Sequence, residues 1–137
     1  MFDLKSRVLI VDDAIAMRMA VKKLLKEIGF SDFTEAENGR LAFDLIQSGK
    51  TFDLILSDHH MPECTGMDLL KKVRTSTSHK SVPFLLVTSE TEKAMVKEAI
   101  QNGATNYVTK PVSGDELKNK LEAAHTFWLK LNGGAKV

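Results

Sequence analysis

With 137 residues and 19 basic against 18 acidic side chains, the chain is long enough to bury a core and has no charge excess to draw it to nucleic acid or an anionic membrane. Its one cysteine, Cys64, excludes an internal disulfide and fits a reducing compartment. MFDLKSRVLIV at the N-terminus lacks a signal-peptide layout and no apolar run reaches membrane-spanning length, so a single cytoplasmic domain is expected, with neither nucleic acid nor membrane as partner.

Val8–Val11 is a short apolar run without alternation, as expected of a strand buried on both faces, and it ends in Asp12-Asp13. A helix follows, about Ala14 to Ile28. Met17, Val21, Leu24, Leu25 and Ile28 form its apolar stripe; Arg18, Lys22, Lys23 and Lys26 lie outside it, and Gly29 stops it. A second strand is expected at Phe33–Glu37, a turn at Asn38-Gly39, and a helix from Arg40 to Ser48.

The third strand lies in Phe52-Asp53-Leu54-Ile55-Leu56-Ser57-Asp58, where the apolar run stops at an acid. Met61-Pro62 turns the chain soon after, because the residue before a proline is pushed out of helical geometry. Thr65 and Asp68 have capping-box spacing for a helix to about Arg74. Thr75–Ser81 is polar and reads as a loop. A fourth strand, Val82–Val87, is followed by Thr88. Ser89 and Glu92 have capping-box spacing for a fourth helix to about Asn102. Asn106–Thr109 is a fifth strand ending at Lys110-Pro111, and a helix capped by Ser113 and Glu116 extends to about Leu131.

Strand and helix thus alternate five times, which predicts an α/β, doubly wound parallel sheet with helices on both faces. One domain is expected over residues 1–131, with a short Gly-rich tail over 132–137.

In such sheets ligands bind outside the carboxyl ends of the strands. Asp12, Asp13 and Asp58 converge there in this reading, with Thr88 and Lys110 beside them. Three carboxylates together call for a cation, and oxygen-only ligands suit Mg²⁺. A metal, an ammonium and a hydroxyl around one carboxylate make a phosphoryl-transfer site, in which the carboxylate itself can be the nucleophile. Asp58, alone on the central strand, is the candidate.

Asp12-Asp13, Asp58 with Met61-Pro62, Thr88, Tyr107 and Lys110-Pro111, in this order and spacing, resemble the receiver domain of two-component response regulators. Met17-Arg18 after the acid pair, and the lack of an output domain, make the chain most similar to the single-domain chemotaxis (CheY-like) type. The resemblance implies a flavodoxin-like (βα)5 fold with strand order 2-1-3-4-5 and a cis Lys110–Pro111 bond. It implies that Asp58 accepts a phosphoryl group from a sensor histidine kinase or a histidine phosphotransfer protein. Asp12, Asp13, Asp58 and the backbone carbonyl of His60 would hold Mg²⁺. Thr88 and Lys110 would bind the phosphoryl oxygens, and Thr88 and Tyr107 would switch. His60 and Glu90, each two residues past a site residue, would set how fast the phosphoryl group is lost to water. The surface of the fourth helix, fifth strand and fifth helix would then bind a target such as a flagellar motor switch protein, with the protein a monomer. A conventional enzyme is not expected; only self-phosphorylation and self-dephosphorylation are.

A single-domain phosphorelay intermediate would carry the same residues. An aspartyl-phosphate phosphohydrolase would want a second acid where His60 stands. A flavin module would want a Ser-, Thr- or Gly-rich loop in place of Asp12-Asp13, and a scaffold that is never phosphorylated would not need the full set of acids with Lys110. His59 and His60 suggest a transition metal, but adjacent histidines point apart on an extended chain and no further histidine pattern supports one. Met61, Met67 and Met95 read as packing, and Cys64 as incidental.

Overall fold

The computed structural model describes residues 1–89 and 93–132. Ten elements alternate along the chain: β1 (Arg7–Val11), α1 (Ile15–Ile28), β2 (Asp32–Ala36), α2 (Gly39–Gln47), β3 (Leu54–Asp58), α3 (Gly66–Thr75), β4 (Phe84–Ser89), α4 (Lys93–Gln101), β5 (Asn106–Lys110) and α5 (Gly114–Leu131). The five strands form one parallel sheet in the order β2-β1-β3-β4-β5.

Alternation along each strand divides the core in two. Leu9, Val11, Ile55, Phe84 and Leu86 face a layer containing Ala42 and Ile46 of α2, Leu69, Leu70 and Val73 of α3, and Ala99 of α4. Val8, Ile10, Leu54, Leu56, Leu85 and Val108 face Val21 and Leu25 of α1 and Leu117, Leu121 and Ala124 of α5. Both faces of β1, β3 and β4 are therefore dry, which explains their continuous apolar runs; each large side chain so buried contributes about 1.5–3 kcal/mol. The edge strands β2 and β5 are only partly covered.

Several element ends depart from the sequence reading. β4 begins at Phe84, two residues later than expected, because Pro83 has no N–H to give to a ladder. Ser89, read as half of a capping box, is the last residue of β4 and pairs with Lys110; its partner Glu92 lies outside the described residues. Leu131, the last residue of α5 as expected, is exposed. The Thr65/Asp68 capping box is present in both directions.

At the amino ends of the strands, side chains tie the loops down. His79 is buried, and its Nε2 accepts the backbone N–H of Phe52 at 2.9 Å while Nδ1 meets Ser78 Oγ at 2.7 Å. Arg74 Nε donates to the Gly103 carbonyl at 2.9 Å, and Trp128 Nε1 donates to the Ser81 carbonyl at 2.6 Å.

Candidate functional site

The sheet register sets the site. Val11 pairs with Ser57, so Asp12 and Asp58 leave β1 and β3 side by side. Asp58 pairs with Val87, which puts Thr88 one residue further along β4, and Ser89 pairs with Lys110. Four parallel strands thus bring a carboxylate pair, a hydroxyl and an ammonium to one edge.

Asp12 and Asp58 are buried and Asp13 is exposed. One oxygen from each lies within 4.8 Å of the others, the one such grouping among the described residues. Lys110 Nζ stands 2.8 Å from Asp58 Oδ1, an oxygen that receives no hydrogen bond among the described residues. Burial pushes the Asp12 carboxyl above the usual carboxylate range. The hydrogen bond from the Ala14 N–H opposes that rise, the charge of Asp58 adds to it, Lys110 opposes it, and Asp13 adds a smaller push. Mutually repelling acids, two of them buried, are the donor set that a hard divalent cation satisfies.

The loop carrying Asp12 is fixed at several points. The Asp12 N–H donates to the Ala36 carbonyl at 3.1 Å, and Asp12 Oδ1 accepts from the Ala14 N–H at 2.9 Å. Arg18 Nη1 donates to the Asp12 carbonyl at 2.6 Å, while Nε donates to Glu35 Oε1 at 3.1 Å.

The loop after Asp58 is held by close packing. His59 N–H donates to the Val87 carbonyl at 3.1 Å, and Gly66 N–H donates to the His59 carbonyl at 3.0 Å. A Cβ on Gly66 would stand 2.4 Å from the Asp58 carbonyl and 2.9 Å from His59 Cα, so only glycine lets α3 start this close to β3. The sequence reading passed over this residue, although a glycine just after a capping threonine is a signal of close approach. The His59 and His60 rings meet edge-on at 4.9 Å with His60 exposed, and the pair belongs to no metal-ligating trio among the described residues.

Thr88 is fully buried, its hydroxyl 3.5 Å from the Ser89 carbonyl. Tyr107 is half-buried at the edge of the sheet, with Lys120 Nζ 4.0 Å above its ring. Beside it Ser89, Lys93, Val96, Lys97 and Thr109 line a cleft of about 470 Å³. The Lys110–Pro111 peptide bond is cis. Glu90 lies outside the described residues.

Comparison with known proteins gives the family. Residues 8–122 match the response regulator receiver domain. The chain is 41% identical to the chemotaxis protein CheY of Pseudomonas aeruginosa over 116 residues, 85% of this chain and 93% of that one. It is 38% identical to CheY1 of Helicobacter pylori strain 26695, again over 85% of this chain and 94% of the relative. The solved structure of chemotaxis response regulator CheY4 of Vibrio cholerae superimposes with a TM-score of 0.79 at 34% identity, covering 88% of this chain and 98% of that one. The chain therefore belongs to the response regulator receiver domain family, with the chemotaxis CheY proteins among its relatives.

Proposed function

We propose that this receiver domain is a phosphorylation-operated binding switch of chemotaxis, with Asp58 as the phosphoryl acceptor. The observation that carries the reading is the buried Asp58 carboxylate, flanked by two further acids within 4.8 Å and by the Lys110 ammonium at 2.8 Å. Three acids crowded together with one ammonium among them carry an electrostatic cost that a bound cation would offset.

The donor is a phosphohistidine of a sensor kinase. An Asp58 carboxylate oxygen forms a bond to phosphorus as the nitrogen–phosphorus bond breaks, and the imidazole leaves with that electron pair. Asp12, Asp13, Asp58 and the His60 backbone carbonyl would hold Mg²⁺, which would neutralise charge on the acids and on the phosphoryl oxygens. Lys110, with its charge already at Asp58, shifts onto a phosphoryl oxygen, and the Thr88 hydroxyl donates to another. Each new contact strengthens as charge gathers on the transferred group, so binding and catalysis use the same side chains.

The phosphoryl group then biases a pre-existing equilibrium. Thr88 moves toward it, and Tyr107 turns inward into the space that Thr88 leaves; the cleft beside Tyr107 gives the ring room to move. The altered α4–β5–α5 face binds the downstream partner, a flagellar motor switch protein. His60 and Glu90 set the rate at which water removes the phosphoryl group.

Intact mass after mixing with Mg²⁺ and acetyl phosphate tests the chemistry. One added phosphoryl group is expected, dependent on Mg²⁺ and absent from Asp58→Asn. An adduct retained by that variant would refute the site.

A further inference from the structure

Arg18 is the side chain at this end of the molecule that the phosphoryl chemistry leaves without a task. It lies outside the apolar stripe of α1, yet its side chain is only 13% exposed. Nη1 donates to the Asp12 carbonyl at 2.6 Å, and Nε donates to Glu35 Oε1 at 3.1 Å. Glu35 Oε2 is in turn 3.4 Å from Lys22 Nζ. Two carbonyl and carboxylate acceptors at different angles suit the rigid fork of a guanidinium.

The target of that bond matters. The Asp12 carbonyl belongs to the peptide that joins Asp12 to Asp13, so its orientation fixes how both carboxylates leave the backbone. The preceding peptide is fixed too, because the Asp12 N–H is held by the carbonyl of Ala36, the residue after Glu35. β2 thus grips Asp12 twice, once through its own backbone and once through Glu35 and Arg18.

We infer that Arg18 is a positioning residue for the acid pair: anchored by Glu35, it holds the Asp12–Asp13 peptide so that both carboxylates meet a divalent cation in a preset geometry. This rests on the reading of Asp12, Asp13 and Asp58 as the Mg²⁺ site. The role is geometric rather than electrostatic, and the two make opposite predictions. A cation beside three acids repels Mg²⁺, so its removal by charge alone tightens metal binding. Loss of an outer contact that aims metal ligands loosens it, by about tenfold or more.

The test is Mg²⁺ titration by calorimetry of the full chain and of Arg18→Ala, Arg18→Lys and Glu35→Gln, with thermal melts as a check of folding. Arg18→Ala is expected to bind Mg²⁺ about tenfold more weakly. Arg18→Lys, which keeps the charge and one bond, should recover part of the affinity, and Glu35→Gln should lose less than Arg18→Ala. Hydrogen exchange supplies a readout that needs no metal: the Ala14 amide, which donates to Asp12 Oδ1, should exchange faster in Arg18→Ala. A folded Arg18→Ala protein that binds Mg²⁺ as well as or better than the parent overturns the inference and leaves the metal site standing. A parent protein that does not bind Mg²⁺ overturns both.

Discussion

The two ends of the sheet handle buried polar groups in opposite ways. At the amino ends, His79, Arg74 and Trp128 each meet a loop backbone group, and His79 has a hydrogen-bonding partner at both ring nitrogens. At the carboxyl ends, three carboxylates crowd together with one ammonium against Asp58 Oδ1, and burial and like charge raise the Asp12 pKa. At the first end these three side chains have their polar atoms paired, which favours the folded state. The other crowds like charges together, and a bound cation would relieve that repulsion.

Substitutions at the two ends should therefore move stability in opposite directions. The largest effect is expected from His79→Ala, which strands the buried Phe52 N–H and opens a cavity: a loss of about 2–3 kcal/mol in chemical denaturation, with Mg²⁺ affinity unchanged. Asp12→Asn should do the reverse. The amide oxygen still accepts from Ala14 while the repulsion goes, so the fold gains roughly 1 kcal/mol and Mg²⁺ binding weakens. If that variant melts at a lower temperature than the parent, the acid cluster is not strained and the contrast fails.

The smallest expected effect is a pH dependence with two signs. Burial and the charge of Arg7 lower the pKa of His79 against the pull of Asp53, so the folded protein binds its proton later than the unfolded chain does. Stability from this group is complete above its unfolded value, about 6.5, and declines as pH falls through 6.5 toward the lower folded value. Asp12 acts oppositely, because its folded pKa lies above the ordinary 3.8. Its destabilising charge is present at neutral pH and is relieved as pH falls through the raised value. Melting curves from pH 7.5 to 4 should show the first decline in the parent protein and its loss in His79→Leu.

What the sequence made legible were the features written in adjacent residues. A short apolar run that stops at an acid is visible in Val8–Asp13 and in Leu54–Asp58, and parallel pairing then places the acids together. The strand order came from the family resemblance, not from periodicity. Arg18 was not legible because its partner Glu35 is 17 positions away and a charged helix residue outside the apolar stripe reads as solvated. His79 was hidden for the same reason: it sits in a polar stretch, and its acceptor role needs Phe52, 27 positions earlier. Gly66 is adjacent to its cap, but the Asp58 carbonyl it must clear is supplied by the fold.

Trp128 is the only tryptophan in the chain, and its indole is tied to the Ser81 carbonyl at the end of the sheet away from Asp58. The protein's intrinsic fluorophore is thus remote from any group attached to Asp58. Any change in its emission when Asp58 is loaded would measure transmission along the length of β4 and α5, not local quenching. A silent signal would show that the contact between Trp128 and Ser81 is left undisturbed.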